Sequence, residues 1–246
     1  MTDETSPREN RVAEWARRAP DAAGANAAMQ AATLIVVRDG SHGLETLMLR
    51  RSAQLAFVAG TWVFPGGRVE SGDAVGLAAD DEIGAARRAA VREAREEAGL
   101  EIPEDALVAF SHWTPPPVAP KRFLTWFFIA RATGGDVAID RGEIQDHGWM
   151  RPADALARRD ARDIEILPPT WITLHRLCGY RDAATAIAQS RAAQPERFAT
   201  RIVPVEGGVV SLYDGDAAYA CDDLDRPGSR HRLWMLASGW RYERSA

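Results

Sequence analysis

The stretch Arg92-Glu93-Ala94-Arg95-Glu96-Glu97-Ala98-Gly99-Leu100 packs three carboxylates into five residues of good helix formers and then ends on a glycine. At about 100° per residue, Glu93, Glu96 and Glu97 fall on one face of a helix. Like charges at this spacing destabilise a helix by roughly a few tenths of a kcal/mol per pair. The cluster therefore indicates either a hard divalent cation bound by oxygen ligands, or a solvated face whose countercharge comes from Arg88 and the arginines of the stretch.

An apolar strand end that runs into a turn lies upstream, in Trp62-Val63-Phe64-Pro65-Gly66-Gly67-Arg68-Val69-Glu70. Proline fixes one backbone dihedral, and the glycines allow the backbone to approach a ligand or metal closely. Phe-Pro-Gly-Gly, then acids, then R-E-x-x-E-E-x-G-L, in this order, resembles the Nudix box, G-x5-E-x7-R-E-U-x-E-E-x-G-U, where U is apolar. The resemblance implies an α/β (α+β) fold, the Nudix α/β/α sandwich with a mixed sheet.

The chain departs from this box in three places. Asp73, after five residues counted from Gly67, stands where the family usually has Glu, and Ala94 is smaller than the usual U residue. Eighteen residues instead of seven then precede Arg92, so 11 are extra. The extra segment, 74–84, is polar and contains glycine, which predicts a loop that delays the helix start to about Asp81 or Glu82.

The remaining pattern predicts three regions: a flexible or helical lead-in over 1–30, a Nudix core over 31–160, and a helical and β-rich C-terminal extension over 161–246 that packs on the core. We expect core strands at 31–37, 44–50, 60–64, 107–113, 123–130 and 144–150, with helices at 82–98 and from 152 to 158. In the extension we expect a helical stretch over 167–193 and strands at 202–205, 209–213 and 231–236.

Composition narrows the function classes. A formal net charge of −5 and a pI near 5.6 argue against a nucleic-acid binder. Two cysteines, Cys178 and Cys221, give no disulfide framework, so a reduced, cytoplasmic protein is expected. The sequence has no apolar run of about 18 residues, so we expect no membrane partner. A homodimer is compatible with the sequence.

The resemblance also implies a chemistry: hydrolysis of a nucleoside diphosphate linked to another moiety, with Mg²⁺ or Mn²⁺ as cofactor and two phosphorylated products. Carried over to this chain, it implies Glu93 and Glu97 as metal ligands, Glu96 as a third ligand or an outer group, and Gly66 as a ligand through its carbonyl. Structural roles are expected for Arg92, as an ion-pair partner of Asp73 or a neighbour, and for Asp73, Gly67 and Gly99.

Outside the box, Glu143 lies six residues before Trp149 and matches an acid that relatives bring to the metal cluster. It is a metal ligand or general base, or a solvated turn glutamate. With Glu96 and Glu97 it completes the set of catalytic candidates. His147 is expected to be a surface or core histidine and not a base.

The segment before the turn narrows the substrate. Leu47-Met48-Leu49-Arg50-Arg51-Ser52, followed by Gly60, looks like the signature L-L-T-x-R-S/A-x3-R-x3-G-x3-F-P-G-G of Nudix coenzyme A diphosphatases. Ala56 stands where that signature has Arg, and Leu49 where it has Thr. Coenzyme A or an acyl-CoA is the preferred substrate. The alternatives are ADP-ribose, NADH or a nucleotide sugar, or a non-catalytic nucleotide-binding regulator.

Candidate substrate contacts come from arginine and tryptophan. Arg50, Arg51 and Arg122 suit phosphate, because a guanidinium fork matches its oxygens, although each could be only a surface charge. Trp62 could stack on a base. Its position in an apolar strand, like those of Trp113 and Trp126, also fits core packing.

Overall fold

The computed structural model describes residues 27–54 and 59–245. They form two units, and the first is built around a mixed sheet. The unit comprises residues 29–112 and 125–196. Seven of the eight described strands of this sheet lie wholly or mostly in the unit: β1 (Met29–Gly40), β2 (Gly43–Arg51), β3 (Trp62–Val63), β4 (Gly66–Arg68), β5 (Val108–Thr114), β6 (Phe123–Arg131) and β7 (Ile144–Met150). Their order is β3–β2–β1–β6–β5, while β4 pairs with β1 and β7 with β2.

Four helices belong to this unit: α1 (Glu82–Ala98), α2 (Pro152–Asp160), α3 (Pro168–Leu177) and α4 (Ala183–Ala192). The strand β8 (Glu196–Ala199) follows them. The expected single helical stretch over 167–193 is therefore wrong in detail, since residues 178–182 separate two helices. The expected helix 82–98 and strand 144–150 are confirmed at both ends.

Both faces of the sheet are buried. Leu34 and Val36 of β1 alternate with Ile35 and Val37, and all four are fully buried. The first pair belongs to the apolar cluster formed with five alanines of α1, whose small side chains let the helix lie close to the sheet. The other face meets α2, where the guanidinium of Arg158 lies 5.7 Å from the ring of Trp62. This arrangement confirms the predicted sandwich of helices around a mixed sheet.

Capping fixes both ends of α1. Asp81 Oδ1 accepts a hydrogen bond of 2.9 Å from the backbone N–H of Gly84, as expected for an N-cap residue. At the other end Gly99 adopts the left-handed conformation at φ 67°, and its N–H donates to the carbonyls of Ala94 and Arg95. The predicted helix start after the inserted loop and the predicted glycine cap are confirmed.

The turn after β3 differs from its prediction. A single strand over 60–64 was expected, but β3 contains only Trp62 and Val63, and β4 begins at Gly66. Pro65 lies between them and has no N–H to donate to a strand partner, so the pairing changes there. Its carbonyl still accepts a hydrogen bond of 2.8 Å from Leu34 N–H. This crossing brings the two glycines alongside β1.

The second unit contains residues 113–124 and 197–245, together with residues 27–28. Its antiparallel sheet has the order β12 (Gly239–Arg244), β11 (His231–Leu236), β10 (Gly208–Leu212), β9 (Arg201–Val205). The first three strands of this sheet along the chain were predicted and the last was not. Trp113 packs here, stacked on Phe198 at 4.0 Å between ring centroids.

The predicted lead-in, the regional boundaries and the membrane expectation have different outcomes. Of the predicted lead-in, residues 1–26 lie outside the described residues, as does Ala56. The predicted regional boundaries at residues 30 and 160 stay predictions. In the described part of the chain, no helix has the length and apolar character needed to cross a membrane.

A buried ion pair organises the loop between β10 and β11. Arg232 donates from Nε and Nη2 to the two carboxylate oxygens of Asp216, at 2.8 and 2.6 Å. The same carboxylate accepts the N–H groups of Ala218 and His231, at 2.8 and 2.7 Å. Both charged side chains are almost completely buried, 1% and 0% exposed. Every oxygen is therefore paired, which is the condition under which a buried charge is tolerated.

We predict that Asp216→Asn lowers the free energy of unfolding by about 3–5 kcal/mol, because it leaves the buried Arg232 charge uncompensated. The matched control is Asp222→Asn, which removes the exposed partner of Arg201 and should cost less than about 1 kcal/mol. Urea unfolding at pH 7, followed by circular dichroism, measures both. Equal losses in the two variants would contradict the importance of the buried pair.

This pair also sets an acid dependence. Burial alone would raise the pKa of Asp216, but the hydrogen bonds from Arg232 and from the two backbone N–H groups lower it to about 2. Since this lies below the unfolded value, the stabilisation is complete above about pH 4 and is lost as the pH falls towards 2. The gap in unfolding free energy between the unmodified protein and Asp216→Asn should narrow over that range.

Candidate active site

A hydrogen bond joins the acidic helix to the turn. The backbone N–H of Gly66 donates to Glu97 Oε2 at 2.9 Å, and the glutamate is only 6% exposed. The pKa of Glu97 is raised to about 8, mainly by burial. The hydrogen bond from Gly66 lowers this pKa, and the nearby carboxylates of Glu93 and Glu143 raise it further. A carboxyl at this depth, among other acids, has the properties of a group that serves a cation or a proton transfer.

Arg92 makes a second set of contacts between the acidic helix and the residues after the turn. Its guanidinium donates five hydrogen bonds of 2.9 to 3.2 Å, which go to Asp73, Glu93, Glu96 and the carbonyl of Arg68. Burial would lower the pKa of Arg92, but the bonds to Asp73 and the charge of Glu93 raise it above its ordinary value. Arg92 is therefore a fixed cation, and the ion pair with Asp73 expected from the sequence is present.

Asp73 is itself fixed by the backbone. It is 6% exposed, its carboxylate accepts the N–H of Glu70 at 2.8 Å, and its own N–H donates to the carbonyl of Glu70 at 3.0 Å. The short turn Ser71–Ala74 thus presents Asp73 to Arg92. Aspartate in place of the usual glutamate still reaches the guanidinium.

Glu93 lies against the second glycine of the turn. A Cβ atom built on Gly67 would overlap the Glu93 carboxylate, so a larger residue there would force this carboxylate to move. Burial raises the pKa of Glu93, and the adjacent Arg92 opposes that rise. Gly66 and Gly67 therefore accommodate Glu97 and Glu93, one acid each.

The last two acids are more exposed. The side chain of Glu96 is 51% exposed and that of Glu143 is 58% exposed. Ser52 N–H donates to the backbone carbonyl of Glu143 at 2.7 Å, which ties this residue to the end of β2. Arg51 extends between Glu143 and Glu97, with N–O separations of 3.7 and 3.8 Å.

The donor set fits a hard divalent cation in its chemistry. It consists of carboxylates that repel one another, Glu97 buried and Glu93 partly buried, next to a glycine-rich backbone. Over residues 27–54 and 59–245, no three His, Cys, Asp or Glu side chains converge as they would around a bound ion. Because Glu143 is more than half exposed, its carboxylate can turn towards an ion at low cost, whereas Glu96 would first have to give up its hydrogen bond to Arg92.

Two predicted substrate contacts lie away from this cluster. Leu47 and Leu49 of β2 face α1, so strand alternation places Arg50 on the opposite face. Trp62 pairs with Arg50 and shares that face, where it is 6% exposed. The structure therefore favours the packing alternative for Trp62, and does not bring either residue to the acids.

Other candidates have different positions. Arg122 belongs to the second unit, and its Nε is buried with no hydrogen-bond partner in the described part of the chain. Trp126 lies on the α1 face of the sheet, partly buried, with its ring centroid 4.6 Å from that of His112. Sequence reasoning missed the bridging geometry of Arg51, because Glu97 and Glu143 come from segments far from it in the sequence.

Comparisons with known proteins point to one family. The NUDIX domain family matches residues 28–169, more than half of the chain. An acyl-coenzyme A diphosphatase of Xenopus laevis, NUDT19, is 24% identical over 83% of this chain and 84% of its own. A protein called putative nudix hydrolase 7, of Caenorhabditis elegans, is 28% identical over 55% of this chain and 56% of its own.

A solved structure gives the same fold. The NUDIX hydrolase of Alicyclobacillus acidocaldarius superposes with a TM-score of 0.60 at 24% identity, covering 67% of this chain and 97% of that one. The matched residues 28–169 include the whole acidic helix, the turn and Glu143. The chain therefore belongs to the NUDIX domain family and is a Nudix-type pyrophosphohydrolase.

Proposed function

We propose that this Nudix hydrolase cleaves the diphosphate of coenzyme A or an acyl-CoA, using Mg²⁺ or Mn²⁺. The observation that carries the reaction type is the bond from Gly66 N–H to Glu97, because it places a buried carboxylate of the helix directly against the Phe-Pro-Gly-Gly turn. The substrate choice is supported by the partial coenzyme A diphosphatase signature and by the similarity to the Xenopus laevis acyl-coenzyme A diphosphatase along most of both chains.

In the proposed reaction, water attacks one phosphorus atom of the diphosphate, and the bridging oxygen leaves with the other phosphoryl group. Bound Mg²⁺ or Mn²⁺ would neutralise the diphosphate and lower the pKa of water. Glu93 and Glu97 are the proposed ligands, with Glu96 and the Gly66 carbonyl completing the set. Glu143 is the proposed general base, since its exposed carboxylate lies in the same cluster and can take the proton of the attacking water.

The residues around these acids have positioning roles. Arg92 holds Glu93 and Glu96 to the turn, and Asp73 fixes Arg92 in its turn. A non-catalytic nucleotide-binding regulator would be expected to have lost one of the box carboxylates, and Glu93, Glu96 and Glu97 are all present. Hydrolysis is therefore the better supported of the two functions.

We predict that Glu97→Gln and Glu93→Gln each lower turnover at least about a hundredfold with the fold retained, because each removes negative charge from the cation site. Glutamine still offers Gly66 N–H an acceptor, so the turn should stay in place. Glu104→Gln, an exposed acid outside the site, is the control and should behave as the unmodified protein. Steady-state kinetics at saturating Mg²⁺ provide the measurement; unchanged turnover in either site variant would contradict the assignment.

We predict that Gly67→Ala lowers turnover by about tenfold or more, because the added methyl group displaces the Glu93 carboxylate. Gly72→Ala is a matched control in the next turn, where an added Cβ meets no atom within 4 Å. That variant should stay within about twofold of the unmodified protein. Equal activities for the two variants would show that the position of Glu93 does not matter.

The substrate is tested with a panel of coenzyme A, an acyl-CoA, ADP-ribose, NADH and a nucleotide sugar. We expect the highest kcat/KM for coenzyme A or its acyl derivative, with products whose masses correspond to cleavage between the two phosphorus atoms. Cleavage of the other diphosphates without cleavage of coenzyme A would reject the substrate proposal but keep the hydrolase. No metal-dependent cleavage of any compound would favour the regulator.

A further inference from the structure

Arg51 connects two carboxylates that come from different segments of the first unit. Its Nη1 lies 3.8 Å from Glu97 Oε1, and its Nη2 lies 3.7 Å from Glu143 Oε2. Glu97 is on α1, whereas Glu143 immediately precedes β7. One guanidinium therefore provides positive charge to both the proposed metal ligand and the proposed base.

Within residues 27–54 and 59–245, the side chain of Arg51 is held by charge and not by hydrogen bonds. Both separations are longer than a hydrogen bond, and its buried Nε has no hydrogen-bond partner among the described residues. Arg92, on the same acidic helix, makes five hydrogen bonds instead. Moving Arg51 away from the acids therefore costs far less than moving Arg92.

The backbone of Arg51, in contrast, is fixed. Its N–H donates to the carbonyl of Thr61 at 3.0 Å, and its own carbonyl accepts the N–H of Gly60 at 3.2 Å. Strand alternation from Leu49 places this residue on the α1 face, in agreement with its approach to Glu97. A fixed backbone with a loosely held guanidinium allows the charge to be moved while its anchor point stays near the site.

We propose that Arg51 competes with the divalent cation for Glu97 and Glu143, and that the displaced guanidinium then binds the diphosphate of the substrate. The inference rests on the proposed function. A guanidinium within 4 Å of both acids repels an incoming cation and partly neutralises the carboxylates that would bind it. Once free, its planar fork is suited to phosphate oxygens, and its unpaired Nε supplies a further donor.

The test measures Mn²⁺ affinity without substrate, by electron paramagnetic resonance, in three variants. Arg51→Met keeps the length of the side chain but removes its charge, and should bind Mn²⁺ at least about fivefold more tightly. Arg51→Lys restores the charge and should return the affinity towards that of the unmodified protein. Arg131→Met removes an exposed arginine that pairs with Asp39 elsewhere in the unit, and should change nothing.

A second measurement separates competition from a simple loss of structure. The KM of Arg51→Met for the best substrate of the panel should rise about tenfold or more, while its Mn²⁺ affinity increases. A purely structural role for Arg51 would weaken the binding of both, and that result would overturn the inference, as would unchanged Mn²⁺ affinity. Tighter Mn²⁺ binding with an unchanged KM would overturn the transfer to the substrate.

Mn²⁺ binding and diphosphate cleavage by the unmodified protein distinguish failure of the proposed function from failure of the inference alone. If it binds no Mn²⁺ and cleaves no diphosphate, the proposed function and the inference are both rejected. If it binds Mn²⁺ and cleaves a diphosphate, but Arg51→Met binds Mn²⁺ no more tightly, only the inference is rejected. Circular dichroism of each variant verifies that the fold is retained.

Discussion

The ion pair between Arg92 and Asp73 is the constraint on which the rest of the site depends. It connects a turn that follows β4 to the middle of α1, across a long loop. The same guanidinium then binds Glu93, Glu96 and the Arg68 carbonyl, so the orientation of two acids follows from one cation. Because Asp73 and Arg92 are both mostly buried, this pair is screened much less than a surface pair would be.

The two glycines of the turn also position acids of the helix. Gly66 donates a backbone hydrogen bond to Glu97, and Gly67 leaves the space that Glu93 occupies. The carboxylates are thus positioned by backbone and by a fixed arginine, while α1 is held on the sheet by its alanines. Backbone and buried side chains set the inner acids, whereas Glu96 and Glu143 remain accessible. The inner acids are therefore held inside the protein, whereas the outer two can be reached from solvent.

Much of this could be predicted from the sequence, because the deciding signals are local. Asp81 and Gly99 identify both ends of α1 by capping chemistry, and the order of turn, acids and helix predicted the sandwich. What could not be predicted depends on pairing between distant segments. The face of Arg50 and Trp62, the split between β3 and β4, and the approach of Arg51 to Glu143 follow from strand register, which the order of residues does not reveal.

The insertion in the box illustrates how a family motif tolerates extra length. Asp73 is fixed by Arg92, and the helix start is fixed by the Asp81 cap, so residues 74–80 connect two secured points. Val75 in this segment is 72% exposed. Lengthening such a loop costs little, since closure entropy grows only slowly with length. This segment is therefore a suitable place to attach a fluorescent label or a surface-immobilisation tag, close enough to report on ligand arrival yet joined to no acid of the cluster.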